Sequence, residues 1–203
     1  MENLSLSHDQ YWAVALDGRV IKTMYKDVLP IPSRALAVAL AEEWDSQKEK
    51  IDLKTLHLNQ MLARAIRASH DPNLALHMSN DVQRILENDQ ICYREDPDSE
   101  NTYKRQLSET QKKYTDPVHA FMRERFNVNL KIWNNLMLDA QDKSVKNIKP
   151  LLESLDPIAL NSIYQISSVA KSTALALAMF YAEGDQRLDL EHAVNIARVD
   201  EHF

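Results

Sequence analysis

The sequence predicts an α+β chain that is mostly α, with a small N-terminal β-rich part packed on a C-terminal helical bundle. Three observations carry this. Only two of the 203 residues are glycine, where average usage would give roughly fourteen. Glycine serves tight turns and left-handed backbone, so its scarcity favours long helices with few sharp turns. Two apolar-rich runs flank Asp17-Gly18 near the start, the strongest short-range hairpin signal. From Arg34 onward apolar residues recur at helical spacing almost to the chain end.

The elements follow in order. Residues 11–23, YWAVALDGRVIKT, read as a hairpin, and Leu29-Pro30-Ile31-Pro32 as extended chain. Ser33 is an N-cap candidate for a helix whose stripe is Ala37, Leu40, Ala41 and Trp44. A second helix around Leu58–Ala68 stops near Asp71-Pro72, and a third carries Leu74, Met78, Val82, Ile85 and Leu86 on one face. Farther on, Tyr103, Leu107 and Tyr114 share a face, and Pro117 after Asp116 predicts a fresh helix start. Val128, Leu130 and Ile132 alternate as a short strand would. A helix facing inward with Val145, Ile148, Leu152 and Leu155 ends at Asp156-Pro157, which opens the next helix. That helix is apolar nearly all round over Thr173–Phe180, which predicts a place at the bundle centre, with Gly184 as its C′ residue. The last helix puts Leu190, Ala193, Val194 and Ala197 on one face and meets no stop signal, which predicts a chain cut short at its C-terminus. The organisation expected is residues 1–52 as the hairpin-containing part with the first helix, and residues 53–203 as the helical domain.

Composition narrows the function classes. A net charge of -6 without a basic stripe disfavours a nucleic-acid binder. The longest apolar stretch, Thr173–Ala182, is far short of the roughly 20 residues a membrane span needs. Glycines only at 18 and 184 exclude a P-loop, a dinucleotide fingerprint and a nucleophile elbow. A single cysteine, Cys92, excludes an intrachain disulfide and a multi-thiolate zinc site. The histidines at 8, 57, 70, 77, 119, 192 and 202 are scattered, and Asp71-Pro72 breaks the helix that would align His70 with His77.

Four features carry both a bland and a functional reading. Cys92 between Ile91 and Tyr93 reads as a small core residue before it reads as a nucleophile, for which Arg94 would be the electropositive neighbour. Lys171 reads as a surface lysine whose stem covers apolar neighbours, before a buried amine. Asp200 and Glu201 beside His202 read as a solvated helix end, before an acid–base group. Trp44 on an inner helix face reads as packing. Pattern alone gives a mainly helical domain with no catalytic constellation.

Resemblance adds more. LDGRVIKT at 16–23 resembles the opening hairpin of the ATP synthase assembly chaperones, the mitochondrial ATP synthase assembly factor 2 type. LPIPSRALAVALAEEWDSQKEKID is similar to the family's proline-serine helix start with its Glu-Trp-Asp-x-Gln element, and LHLNQMLARAIRA to the next helix. DQICYRED resembles a Cys-Tyr-Arg element. Gln106 and Asp116-Pro117 fall where the family has a glutamine and an Asp-Pro. AKSTALALAM resembles its central apolar helix, and ARVDEHF its last acidic-aromatic motif. The resemblance runs from about Tyr11 to Phe203. Departures are a polar lead before the hairpin in place of a basic-initiated strand, Arg67-Ala68-Ser69 where an aspartate is usual, and no glutamine and Trp-Gly element after Phe203.

The resemblance implies a chaperone, without catalysis, nucleotide or other cofactor, metal or small-molecule substrate. Its implied partner is the unassembled alpha subunit of the ATP synthase catalytic head, held until beta binds. The implied compartment is the mitochondrial matrix, or the cytoplasm for a bacterial relative. The family's functionally implicated acidic position maps to Asp200, with Glu201 beside it; many members have glutamate at that position. Trp44, Asp45, Gln47 and Arg94 map to functionally sensitive positions, Trp44 through folding. Two other readings stay open: a small hydrolase or transferase using Asp200, Glu201 and a histidine, and a generic helical scaffold.

Overall fold

A computed structural model describes residues 11–23, 26–48, 50–134, 140–184 and 187–201. The chain forms two compact units, residues 1–72 and 73–203. Mostly helical structure with a small two-stranded sheet near the N-terminus agrees with the predicted class.

In the first unit β1 (Ala15–Leu16) pairs antiparallel with β2 (Arg19–Val20), Ala15 opposite Val20 and Leu16 opposite Arg19. Asp17 and Gly18 between them have φ of 49° and 76°, the two left-handed residues of a type I′ turn. All four strand residues are exposed. The apolar interior comes instead from the flanking chain: Trp12 pairs through both backbone groups with Ile31 at 2.9 Å, and Ile21, Leu29 and Ile31 are buried. Helix α1 (Arg34–Asp45) starts as predicted, with Ser33 Oγ accepting from Leu36 N at 3.2 Å. Its buried residues are Ala37 and Leu40; Ala41 is exposed and Trp44 half-buried, so the predicted stripe narrows toward its end.

Helix α2 (His57–His70) has no capping side chain of its own. Glu43 supplies one from α1, its two carboxylate oxygens accepting from Leu58 N at 2.7 Å and Asn59 N at 2.9 Å. A carboxylate at a helix N-terminus satisfies orphan donors and complements the macrodipole. It also sets the pairing of α1 with α2, around the buried Leu40, Leu56, Leu62 and Ile66.

The second unit contains α3 (Pro72–Glu87), a 3-10 turn at Gln90–Cys92, α4 (Thr102–Phe126), a 3-10 turn at Lys143–Ile148, α5 (Lys149–Ser154), α6 (Pro157–Ala170), α7 (Thr173–Tyr181) and α8 (Leu190–Ala197). Helix α7 is the centre, as its composition predicts: Thr173 to Ala178 are all buried, and it packs against α6, α4 and α8.

Several expectations need correction. Pro117 does not start a helix; it lies inside the continuous α4. A proline there costs about 3 kcal/mol or more in isolation. The buried face Leu107, Gln111, Thr115, Val118 and Met122 runs unbroken across it, and packing along that whole face outweighs one lost backbone bond. The apolar run after Asp156-Pro157 is two helices. Lys171 takes a left-handed φ of 53° at the end of α6, and Ser172, in extended conformation, caps α7 by accepting from Leu175 N at 3.0 Å. Lys171 itself is exposed.

The 128–132 segment forms no strand. Its pairing is one isolated parallel bridge beyond it, Tyr93 with Trp133. Residues 143–154 form a 3-10 turn followed by a short helix, with Val145, Ile148 and Leu152 inside as expected. Helix α7 ends at Tyr181 with Ala182 as its cap, which leaves Gly184 (φ 59°) one residue beyond the expected C′ position. Helix α8 buries Ala193 and Ile196, while Leu190 and Val194 are 71% and 41% exposed. Apolar residues cover two sides of this eight-residue helix, so contact with α4 and α7 selects the face, not the local pattern.

One buried carboxylate fixes the start of α7. Asp89 is 1% exposed; its oxygens accept from Ala174 N at 2.9 Å and Ile91 N at 3.3 Å. Around it, Gln90 N donates to Lys171 O at 3.0 Å and Thr173 Oγ1 to Val82 O at 2.8 Å. Burial pushes the Asp89 carboxyl up to about 6, against the opposing pull of its N–H donors, the nearest being Ala174. Between pH ~4 and ~6 the folded chain therefore holds a proton that the unfolded chain has lost, and stability falls as pH rises through that window. The full effect is about 3 kcal/mol. Asp89→Asn removes this dependence. Urea unfolding of both proteins from pH 4 to 6.5 should show wild type losing ground to the variant as pH rises; a flat difference contradicts it.

Candidate functional site

The acidic residues mapped from the sequence lie on the turn that follows α8, at residues 198–201. Both are exposed. Glu201 folds back on this turn: its N–H donates to Arg198 O at 2.9 Å and its carboxylate accepts from Arg198 Nε at 2.8 Å. An exposed i,i+3 pair of this kind contributes a fraction of a kcal/mol. Asp200 instead turns toward α4 of its own unit, where its Oδ1 accepts from Gln111 Nε2 at 2.7 Å. His202 and Phe203 lie outside the described residues.

The wall against which Asp200 rests is built from α4 and the segment after the 3-10 turn. Gln111 is buried, and its Oε1 accepts from Glu95 N at 2.8 Å. Arg94 is also buried; its guanidinium bonds Thr115 Oγ1 at 2.9 Å and pairs with the Asp116 carboxylate. Glu95 pairs outward with Lys104 Nζ at 3.1 Å. Backbone bonds hold the segment from its other side, Trp133 N to Cys92 O at 2.8 Å and Arg94 N to Trp133 O at 2.9 Å. His119, behind Arg94, is lowered to about 4, first by burial and then by the Arg94 charge, so it is neutral at pH 7. Cys92 is fully buried, and burial with the nearby Asp89 charge pushes its thiol up, against a smaller opposing pull from Arg94. A neutral enclosed thiol is packing and not a nucleophile.

Arg94, one of the mapped sensitive residues, thus stands in the same unit as Asp200 and helps hold the wall behind it. Trp44, Asp45 and Gln47 belong to the first unit. Trp44 is half-buried, and its indole N–H is enclosed without an acceptor among the described residues. Asp45 is exposed. Gln47 organises the loop after α1, donating to Thr55 Oγ1 at 3.1 Å and accepting from Asp52 N at 2.9 Å.

The hollow beside Asp200, lined by Gln90, Ile91, Tyr93, Thr115 and Ile196, has a volume of about 10 Å³. That is room for about one water, against roughly 300–1,000 Å³ for a small-molecule site. Among the described residues no histidine bonds to Asp200 or Glu201. The hydrolase reading requires a concave convergence of these groups, which the described residues do not form. The arrangement offers an exposed carboxylate on a braced turn, a geometry that suits a charge-assisted contact.

A family model described as ATP12 chaperone protein matches residues 2–123, more than half of the chain. The chain belongs to the ATP12 chaperone family. It is an ATP synthase assembly chaperone, as the motif order implies. Solved structures agree. Atp12 from Paracoccus denitrificans is 27% identical with a TM-score of 0.79, over 96% of this chain and 79% of that one. A structure of an aspartate-to-lysine mutant of the same Paracoccus protein gives the same values. A candidate chaperone from Agrobacterium tumefaciens is 29% identical with a TM-score of 0.81, over 96% of this chain and 69% of that one.

Two residues that position this region escaped sequence reasoning. Gln111 lies in no motif and Glu95 follows the Cys-Tyr-Arg of DQICYRED without being singled out, and Gln111 meets Asp200 across 89 positions. Its helical spacing from Leu107 and Val118 was the one available signal for Gln111. In this ATP12-family chain the Trp44 position tests folding directly. Trp44→Arg places a cation where the indole is partly enclosed, and a loss of about 1–3 kcal/mol is expected. Thermal unfolding followed by circular dichroism checks it; an unchanged midpoint would contradict a packing role.

Proposed function

We propose that the chain holds the unassembled alpha subunit of the ATP synthase catalytic head, and that Asp200, with Glu201 beside it, contacts a basic or amide-rich patch on alpha. An alpha subunit without its neighbours exposes apolar interface, which is an aggregation hazard. A helper that covers this surface protects it and yields when beta offers a larger interface. The observation that supports the acidic contact is the exposed Asp200 carboxylate on a turn tied to the buried Gln111. A charge held in place loses little side-chain entropy on binding and contributes to on-rate and partner choice. Glu201, engaged with Arg198, has the smaller part.

No catalysis, cofactor or small-molecule substrate enters this role. The compartment follows the partner: the mitochondrial matrix, or the cytoplasm of a bacterium.

Co-expression with alpha and, separately, with beta tests the reading. Soluble alpha but not beta should be recovered with the chain. Asp200→Lys should abolish that recovery while the chain stays folded by circular dichroism, with stability lower by about 1–3 kcal/mol because the buried Gln111 amide loses its acceptor. Equal recovery of alpha and beta, or full activity of the variant, would contradict it.

A further inference from the structure

Gln111 is an uncommon residue for its place. It is 1% exposed on the buried face of α4, among Leu107, Thr115 and Val118. Burying an amide is costly unless both its ends are bonded. Both are: Oε1 accepts from Glu95 N at 2.8 Å and Nε2 donates to Asp200 Oδ1 at 2.7 Å. The two bonds are not interchangeable. A backbone N–H can only donate, so Glu95 forces the oxygen of the amide toward itself and turns the NH₂ end toward residue 200. That end requires an acceptor. A carboxylate suits it, and a cation would face N–H donors.

We propose that Gln111 is the positioning residue of the acidic turn: its enclosed amide holds one oxygen of Asp200 and leaves the other for a donor on the partner. The inference rests on Asp200 being the partner contact. It adds the reason that the turn after α8 presents a carboxylate in one place. Among the described residues the turn is otherwise held by the Arg198 N–H to Val194 O and Glu201 N–H to Arg198 O bonds and the exposed Arg198–Glu201 pair. The neighbouring charges are already committed: Glu95 to Lys104, and Asp116 to Arg94. None of them competes for the amide.

Gln111→Glu tests this with minimal change of shape. The new carboxylate still accepts from Glu95 N, but it sets a second negative charge against Asp200. Two carboxylates at such a distance share a proton as pH falls. Binding to purified alpha subunit should weaken at least about tenfold at roughly pH 7.5, and the gap from wild type should close to about threefold or less near pH 5.5. A residue that merely fills space would give a loss independent of pH. Equal binding of variant and wild type, or a loss of the same size at both pH values in a folded variant, would overturn the proposal.

A partner-free measurement covers a variant that fails to fold. Asp200→Ala alters an exposed side chain. In the free protein it should shift the Gln111 side-chain NH₂ resonances and speed their solvent exchange at least about tenfold, by removing a charge-assisted bond. Unchanged resonances and exchange would overturn the positioning role whatever alpha does. Should wild type capture no alpha while the resonances respond, the partner reading fails and the brace stands.

Discussion

A carboxylate buried at the mouth of α7 sets the geometry of the second unit. Helix α7 is the innermost element, apolar on every side, and its first turn lies inside the protein where water cannot satisfy its N–H groups. Ser172 meets one of them and Asp89 another. Asp89 also caps the 3-10 turn at Gln90–Cys92. One side chain therefore locks the central helix to the segment that leads outward to Arg94 and Glu95. Those residues brace α4 through Asp116, Thr115 and Gln111, and Gln111 braces the turn that carries Asp200. The path from the deepest helix to the exposed acidic group is a run of hydrogen bonds through the buried Asp89, Arg94, Thr115 and Gln111.

The chemistry of this arrangement is that of recognition. Covering an aggregation-prone surface needs a rigid face and a few placed charges, not a reactive group. The thiol of Cys92 is enclosed, His119 is neutral, and Arg94 spends its charge on Asp116 within its own unit. Asp200 differs in having one oxygen fixed and the whole residue exposed. A contact so placed can discriminate between partners while the area around it supplies affinity.

Much of the fold was legible because local chemistry decided it. Asp17-Gly18 could only be a tight turn, Ser33 and Asp156-Pro157 mark helix starts, and Asp71-Pro72 separates α2 from α3. Failures occurred where distant contacts outvoted local preference. Pro117 is carried inside α4 by a buried face that spans it, and α8 turns Ala193 and Ile196 inward because α4 and α7 lie there. The α6–α7 break had a local signal in Ser172, masked by the apolar run around it. The site was less legible. Pattern alone made Asp200 and Glu201 a solvated helix end, and only motif order raised them to candidates. Glu43, Asp89 and Gln111 act on partners 15, 85 and 89 positions away, which no periodicity shows.

The most direct measurement is hydrogen–deuterium exchange of the chain with and without purified alpha subunit. Slower exchange over residues 194–201 and 93–96 on adding alpha, with no change on adding beta, is the expected result, because the braced turn and its wall form the contact. Protection confined to residues 11–72, or the same response to both subunits, would contradict an alpha-specific contact through Asp200.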